Sequence, residues 1–109
     1  MGDREERIAR NEVAARELNE RIEGNHAESS PTRLIRLVCE CGQAECEELV
    51  SITLAEYERV RADPRLFVVA HGHVIGDVEG IDSQNDRFTV VRKRSGTPSA
   101  VAVEEDPRT

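Results

Sequence analysis

The sequence predicts a small α+β fold: a mostly antiparallel sheet with one short packed helix, a zinc knuckle and a helical arm at the N-terminus. A charged run of helix formers comes first, short runs rich in Val, Ile and Leu follow, and three cysteines lie close together between two of those runs. A chain of 109 residues has room for one compact domain. We expect four segments along it: a helical arm over 1–24, a linker over 25–32, the α+β domain over 33–93 and a disordered tail over 94–109.

The arm is predicted as one helix over residues 3–23, because good helix formers dominate it and Gly24-Asn25 supplies a stop. Its apolar residues form a narrow stripe with a seven-residue repeat, as in a weak coiled-coil seam, at Ile8, Ala15, Leu18 and Ile22. Asn11 falls in the same stripe and would weaken such a seam while fixing its register. Two interpretations stay open: the stripe packs on its own domain, or it binds a protein partner or a second copy of the chain.

Within the α+β domain, branched and apolar runs predict four strands, over 33–39, 47–52, 65–73 and 87–93. Between the second and third strands, Thr53 and Glu56 form a capping box that opens a short helix, and Asp63-Pro64 ends it. Residues 74–82 are weakly extended, and residues 83–86 have the composition of a turn.

The strand over 65–73 shows the clearest alternation. One of its faces carries Leu66, Val68 and Ala70. The other carries Phe67, Val69, His71 and His73. Two histidines therefore point to the same side of the predicted sheet.

The tail over 94–109 is poor in core-forming residues and rich in residues that break regular structure, which predicts disorder. An alternative is that the apolar residues 100–103 add an edge strand or serve as a docking peptide.

Composition and charge exclude several classes of protein. The longest apolar run, residues 66–70, is far short of the roughly 20 residues that a membrane span needs. The net charge is −7 and no segment gathers basic residues, so we expect no nucleic-acid partner and no binding to an acidic membrane surface. The first residues include no apolar segment of the kind a secretory signal has, and we expect a cytoplasmic protein.

Cys39, Cys41 and Cys46 are the sharpest chemical feature of the chain. An odd number of cysteines without a secretory signal argues against a disulfide framework, and a tight thiol cluster indicates metal or redox chemistry. Gly42 follows the second cysteine, and a positive φ there would fold the loop so that the three sulfurs converge. Because a domain of about 60 residues is only marginally stable alone, a structural metal would add the stability that its core lacks.

Zinc prefers four ligands in a tetrahedron, so a fourth ligand is required. The three histidines are the candidates. We favour His73, because Gly72 lets the backbone bend toward the ion. His71 is kept as a reserve ligand, or as a residue that contacts the ligands without binding the ion. His26 lies in the predicted linker and is expected to be only a polar loop residue.

The sequence predicts a small cytoplasmic, zinc-binding, non-enzymatic regulatory or protein-interaction module. One alternative is a thiol-based redox or metal sensor that uses the same three cysteines. A second alternative is a metal- or thiol-dependent enzyme, since Glu40, Glu45 and Glu47 lie near the thiols in sequence. Three thiolates would, however, weaken zinc as a Lewis acid. The sequence contains neither a nucleophile elbow nor a phosphate-binding loop. It therefore identifies no small-molecule substrate.

The run CECGQAECEELVSITLAEYERVRADPRLFVVAHGH resembles a segment of small, uncharacterised actinobacterial proteins. In those proteins a CECG…C knuckle is followed by a T-x-x-EYE helix, a P-x-x-F-x-V strand and a Gly-His pair. The resemblance covers about residues 33–93 and implies a zinc knuckle formed by Cys39, Cys41, Cys46 and His73. It implies no activity.

Overall fold

The computed structural model describes residues 2–26 and 28–108 and has the α+β fold that the sequence predicts. Its elements are, in chain order, α1 (Gly2–Gly24), β1 (Leu34–Val38), β2 (Leu49–Thr53), α2 (Leu54–Arg61), β3 (Leu66–Val69), β4 (Glu79–Gln84), β5 (Thr89–Lys93) and α3 (Thr97–Glu104). Within the described ranges, no helix is both long and apolar enough to cross a bilayer.

The strands form two antiparallel sheets. β1 pairs with β2, with Ile35 opposite Ile52 and Leu37 opposite Val50. β3, β5 and β4 form the second sheet, with β5 in the middle. β4 shifts register next to Asp82 and then continues through residues 83 and 84, where the sequence predicted a turn. A bulge of this kind inserts an extra residue without ending the pairing, and the sequence carries no clear signal for it.

α2 begins as the capping box predicts. The backbone N–H of Glu56 donates to Oγ1 of Thr53 at 3.1 Å, and the Thr53 N–H donates to Oε1 of Glu56 at 2.8 Å. Both end groups are thereby satisfied, and the helix turns Leu54, Tyr57 and Val60 into the core.

β3 separates two buried clusters. Leu66 and Val68 face a core built from β1, β2 and α2, whereas Phe67 and Val69 face a second cluster that includes Cys39 and Cys41. The predicted alternation is therefore confirmed for residues 66–69. The strand ends at Val69, however, so His71 and His73 lie beyond it in a turn and do not share one face of a strand.

α1 lies against the rest of the chain along a mostly polar face. Its buried side chains include Glu12, Arg16 and Asn19, none more than 1% exposed. The guanidinium of Arg16 lies 4.5 Å from the centre of the Phe67 ring and donates hydrogen bonds to two backbone carbonyls. The segment that the sequence predicted as an arm is thus a docked helix that uses polar contacts.

The apolar stripe of α1 packs within the chain at both ends. Ile8 lies against Gly42, and Ile22 packs on the larger core. Leu18, near the middle of the stripe, stays 39% exposed. This arrangement corresponds to the first of the two interpretations of the stripe.

A helix occupies part of the segment where the sequence predicted a disordered tail. Pro98 lies in the first turn of α3, where its missing N–H costs nothing, so this proline begins the helix instead of preventing it. Val101 is buried against Ala9 and Val13 of α1. Beyond α3, the Arg108 side chain binds carboxylates on α1 and α2, those of Glu20, Glu23 and Glu58.

Candidate metal centre

Cys39, Cys41, Cys46 and His73 converge in the structure, with their ligand atoms all within 4.8 Å of one another. Nδ1 of His73 lies 3.5 Å from the sulfur of Cys39 and 3.5 Å from that of Cys46. In a tetrahedral zinc site, Zn–S bonds of about 2.3 Å and a Zn–N bond of about 2.0–2.1 Å place sulfur and nitrogen about 3.6 Å apart. The four side chains can therefore hold a metal ion, and these are the four that the sequence singled out.

The segment after β1 presents the first two cysteines. The Cys39 N–H donates to the carbonyl of Glu48 at 2.9 Å, and the Glu40 N–H donates to the carbonyl of Val68 at 2.8 Å. The segment is therefore tied both to the start of β2 and to β3. In extended backbone, alternate side chains point the same way, so Cys39 and Cys41 face the cluster while Glu40 points into the core.

Gly42 acts differently from the prediction. Its φ is not positive; among the described glycines, only Gly72 and Gly96 have that conformation. A Cβ atom on Gly42 would lie 2.3 Å from Cγ2 of Ile8 and 2.9 Å from the Ile8 carbonyl oxygen. Glycine is therefore required because α1 passes so close, a tertiary contact that the local sequence does not reveal.

Gly72 acts as predicted. Its φ is +81°, and the His73 N–H donates to the carbonyl of Ala70 at 3.1 Å, which closes a turn with glycine at the position that needs positive φ. This turn brings the His73 ring to the sulfurs.

The other two histidines lie outside the cluster. Nδ1 of His71 is 2.9 Å from Oγ1 of Thr89, and the side chain is exposed, so the structure does not place this reserve ligand at the site. His26 lies in the turn after α1. The four-residue cluster contains neither of them.

Hydrogen bonds to the sulfurs show how the cluster distributes charge. The Ala70 N–H donates to the Cys39 sulfur at 3.1 Å. The pKa of Cys41 falls to about 5, first because of its hydrogen bond with Cys39, and that same bond together with burial raises the pKa of Cys39. Burial also raises the pKa of Cys46. Without a cation, one thiolate is thus favoured over three, and a bound cation would stabilise all three thiolates.

The site has a buried half and a solvent-facing half. Cys39 and Cys41 are buried, whereas Cys46 and His73 are half-buried. Those two ligands border an open surface cavity of about 430 Å³, whose other lining residues are Gln43, Glu45, Glu47 and Glu48. A cation or a small oxidant can therefore approach the cluster from this side.

In the sequence Glu40 is a carboxylate near the thiols, but in the structure its carboxyl group is turned into the core. Its Oε2 accepts hydrogen bonds from the Tyr57 hydroxyl at 2.7 Å and from Nδ2 of Asn19 at 2.8 Å, and its Oε1 accepts from the Val68 N–H at 2.9 Å. Burial raises the pKa of this carboxyl group, and the three donors oppose that shift. Glu40 thus joins the cysteine segment to α1, α2 and β3.

Asn19 is a residue of the site that the sequence did not single out. Its Nδ2 donates to the carbonyl of Val38 at 2.9 Å, and its Oδ1 accepts from the Val38 N–H at 2.8 Å. An asparagine in the middle of a charged helix gives no local signal of such a contact.

Comparison of the chain with protein-family models, with curated proteins and with solved structures found no match.

Proposed function

We propose that this chain binds one zinc ion through Cys39, Cys41, Cys46 and His73, as a structural ion in a non-enzymatic regulatory or protein-interaction module. The observation that carries the proposal is the distance of 3.5 Å from Nδ1 of His73 to each of two cysteine sulfurs. That separation is the edge of a tetrahedron around zinc. Three sulfur donors and one imidazole also suit zinc better than magnesium or calcium, which prefer oxygen.

A structural role for the ion is supported by the number and chemistry of the ligands. Four protein ligands complete a tetrahedron, whereas a catalytic zinc keeps one position for water or substrate. Three thiolates donate much negative charge to the ion and reduce its power to activate water. Glu40, the buried carboxylate next to two ligands in sequence, has its oxygens engaged by three donors, which leaves it poorly placed to act as a general base.

The ion would join parts of the chain that are far apart in sequence. Three ligands come from the loop between β1 and β2, and His73 comes from the turn after β3. A bond through the metal therefore links the two sheets. For a chain of 109 residues with 3% aromatic residues, such a link adds stability that a small core supplies only in part.

Native mass spectrometry tests this proposal on protein purified under reducing conditions without a metal-affinity step. We expect one zinc ion per chain in the wild type and in His71→Ala, and loss of the ion in His73→Ala. The two histidines are a matched pair, since only His73 contacts the sulfurs. A wild type without zinc, or equal zinc content in both variants, would contradict the proposal.

A thiol-based redox or metal sensor is the second candidate, and the half-buried position of Cys46 next to the open cavity favours it. Peroxide would oxidise two zinc-bound thiolates: a sulfur–sulfur bond forms, the peroxide bond breaks, and two protons from solvent complete two water molecules. The ion then loses two ligands and leaves. Release of zinc on mild peroxide treatment, and its recovery with dithiothreitol and added zinc, would support this function. Irreversible loss would count against it.

Binding of a protein partner or of a second copy through α1 is part of the proposed module. Since Ile8 and Ile22 pack within the chain, the surface left for such a contact centres on Leu18. We expect Leu18→Lys to lower the apparent mass in light scattering if two copies associate there. Equal masses for wild type and variant would remove self-association through this surface.

A further inference from the structure

α1 runs alongside the segment that carries the first two cysteines and holds it at both ends. Asn19 binds both backbone groups of Val38, the residue before Cys39. Two turns earlier in the helix, Nδ2 of Asn11 donates to the carbonyl oxygen of Gly42, the residue after Cys41, at 2.9 Å. The helix and the segment therefore run in opposite directions, with the two cysteines between the two asparagine contacts.

The lengths of the two pieces match. From Asn11 to Asn19 an α-helix rises about 12 Å, at about 1.5 Å per residue. From Val38 to Gly42 an extended chain spans about 13 Å, at about 3.3 Å per residue. Cys39 and Cys41 lie in one buried cluster while Glu40 between them bonds to Tyr57, which is the alternation of an extended segment, and such a segment lets both contacts form together. The same extension places Cys39 and Cys41 on one side of the backbone, which binding to one ion requires.

We propose that Asn11 and Asn19 are positioning residues of the metal site, and that they couple the docking of α1 to metal binding. The inference rests on the proposed function, because it concerns the same four ligands. Neither asparagine is one of the four proposed ligands. They hold the backbone on either side of Cys39 and Cys41, so that both sulfurs are already in position when the metal arrives.

The rest of the interface between α1 and the cysteine segment strengthens the coupling. Ile8 packs on Gly42 so closely that a side chain at that glycine would displace it. Asn19 also donates to Glu40, which lies between the two cysteines. The helix therefore contacts the segment before, between and after these two ligands. A metal that fixes the segment must then favour the docked helix, and by linkage the docked helix must favour the metal to the same extent.

The first test uses the wild-type chain, so it does not depend on a variant that folds. Amide hydrogen exchange is measured for α1 in the zinc-loaded protein and after zinc removal by a chelator under reducing conditions. We expect zinc to slow exchange in α1 at least about tenfold, within the range of about 5–150-fold that is typical of coupling between two sites. Equal exchange in α1 with and without zinc would overturn the coupling.

The second test compares zinc affinities by competition with a chromophoric chelator. We expect Asn11→Ala and Asn19→Ala each to weaken zinc binding about tenfold. Val60→Ala serves as the control, since it removes buried apolar volume from α2 in the larger core and leaves the segment alone. Affinity unchanged in both asparagine variants, or lowered equally in Val60→Ala, would overturn the positioning role.

The absorption of the cobalt(II)-substituted protein separates positioning from a general loss of stability. Cobalt transitions report the geometry and the thiolate ligands of the site, and we expect them to change in the asparagine variants and not in Val60→Ala. The metal-binding function and its coupling to α1 are contradicted by different results. If the wild type binds neither zinc nor cobalt, the proposed function itself is wrong. If it binds both and the asparagine variants match the wild type, only the coupling is wrong.

Discussion

Lys93 of β5 is bonded through its Nζ atom to the carboxyl group of Glu12 on α1, and both side chains are buried. Glu79 of β4 binds the same Nζ atom. One cation thus faces two carboxyl groups in the protein interior. Burial, with a further contribution from Glu79, raises the pKa of Glu12 from 4.5 to about 9. A pKa this far above its usual value favours the protonated form of Glu12 in the folded chain at neutral pH.

This arrangement gives a first prediction about pH. Because the pKa of Glu12 is higher in the folded chain than its value of 4.5 in the unfolded chain, the folded state binds more protons between pH 4.5 and about 9. The free energy of unfolding must then decrease with rising pH across this window, by up to about 1.4 kcal/mol per pH unit. Glu12→Gln introduces a side chain of the same size that does not titrate. We therefore expect this variant to lose the decrease of stability with pH.

Urea unfolding at a series of pH values checks the prediction. The variant should gain stability relative to the wild type as the pH rises from 5 to 8. Glu17→Gln, on the exposed face of the same helix, should follow the wild type. Parallel curves for wild type and Glu12→Gln would show that Glu12 is ionised in the folded chain.

Gly42→Ala is predicted to destabilise the chain by about 1–3 kcal/mol, the usual cost of overpacking. The added methyl group would meet both the side chain and the backbone carbonyl of Ile8, and the carbonyl cannot move without the helix. Thermal and urea unfolding of the metal-free protein measure the effect. At Gly76 an added Cβ meets no atom within 4 Å and φ is not positive, so Gly76→Ala is the matched control and should cost little. Equal losses in the two variants would contradict the role of Ile8.

Glu56 and Arg87 supply a prediction in acid. Arg87 donates two hydrogen bonds to the Glu56 carboxylate, at 2.9 and 2.7 Å, and these lower the pKa of Glu56 from 4.5 to about 2. The pair therefore stabilises the fold fully above the unfolded pKa of 4.5, and that stability is lost as the pH falls toward 2. We expect Glu56→Gln to cost about 1–2 kcal/mol at pH 7, allowing for screening of a partly exposed pair.

The difference between Glu56→Gln and the wild type should shrink steadily between pH 4.5 and 2 in urea titrations. Glu104→Gln, an exposed position on α3, is the control and should cost little at any pH. A cost for Glu56→Gln that stays constant down to pH 2 would mean that capping of α2, not the charge, explains the loss.

Tyr57→Phe removes the hydroxyl that donates to Glu40 at 2.7 Å and leaves one donor fewer on a buried carboxyl group. We expect a loss of about 1–3 kcal/mol, the usual cost of leaving a buried polar group without a partner. A double-mutant cycle with Glu40→Leu isolates the pair, since most of the effect of Tyr57→Phe should vanish once the carboxyl group is gone. Additive losses would show that the hydroxyl acts independently of Glu40.

The sequence predicts well which four side chains come together, because the signals for them are local. Three cysteines lie in one loop, and Gly72 next to His73 is a local sign of a turn with positive φ. That glycine distinguishes His73 from His71, which instead contacts Thr89 across the sheet. The capping box of α2 is equally local and equally well predicted.

The features that the sequence did not predict depend on contacts between distant residues. Position 42 requires a glycine because Ile8 lies so close to it. Asn19 is buried because its side chain bonds to the backbone of Val38. Apolar spacing along α1 does not reveal a buried face built from polar residues, since each of those residues needs a partner elsewhere in the fold. In α3, the valines have a low helix propensity and Pro98 resembles a break, so the helix depends on the packing of Val101 against α1.

The polar underside of α1 affects how the chain responds to temperature and to solutes. Separation of this helix would uncover charged and amide groups together with the Phe67 ring and the side chains of Ile8, Ile22 and Val101. Newly exposed apolar surface raises the heat capacity and newly exposed polar surface lowers it, so the two contributions partly cancel. The heat-capacity change on separation of α1 is therefore small for the area exposed, whereas the urea dependence, which scales with the whole area, is not.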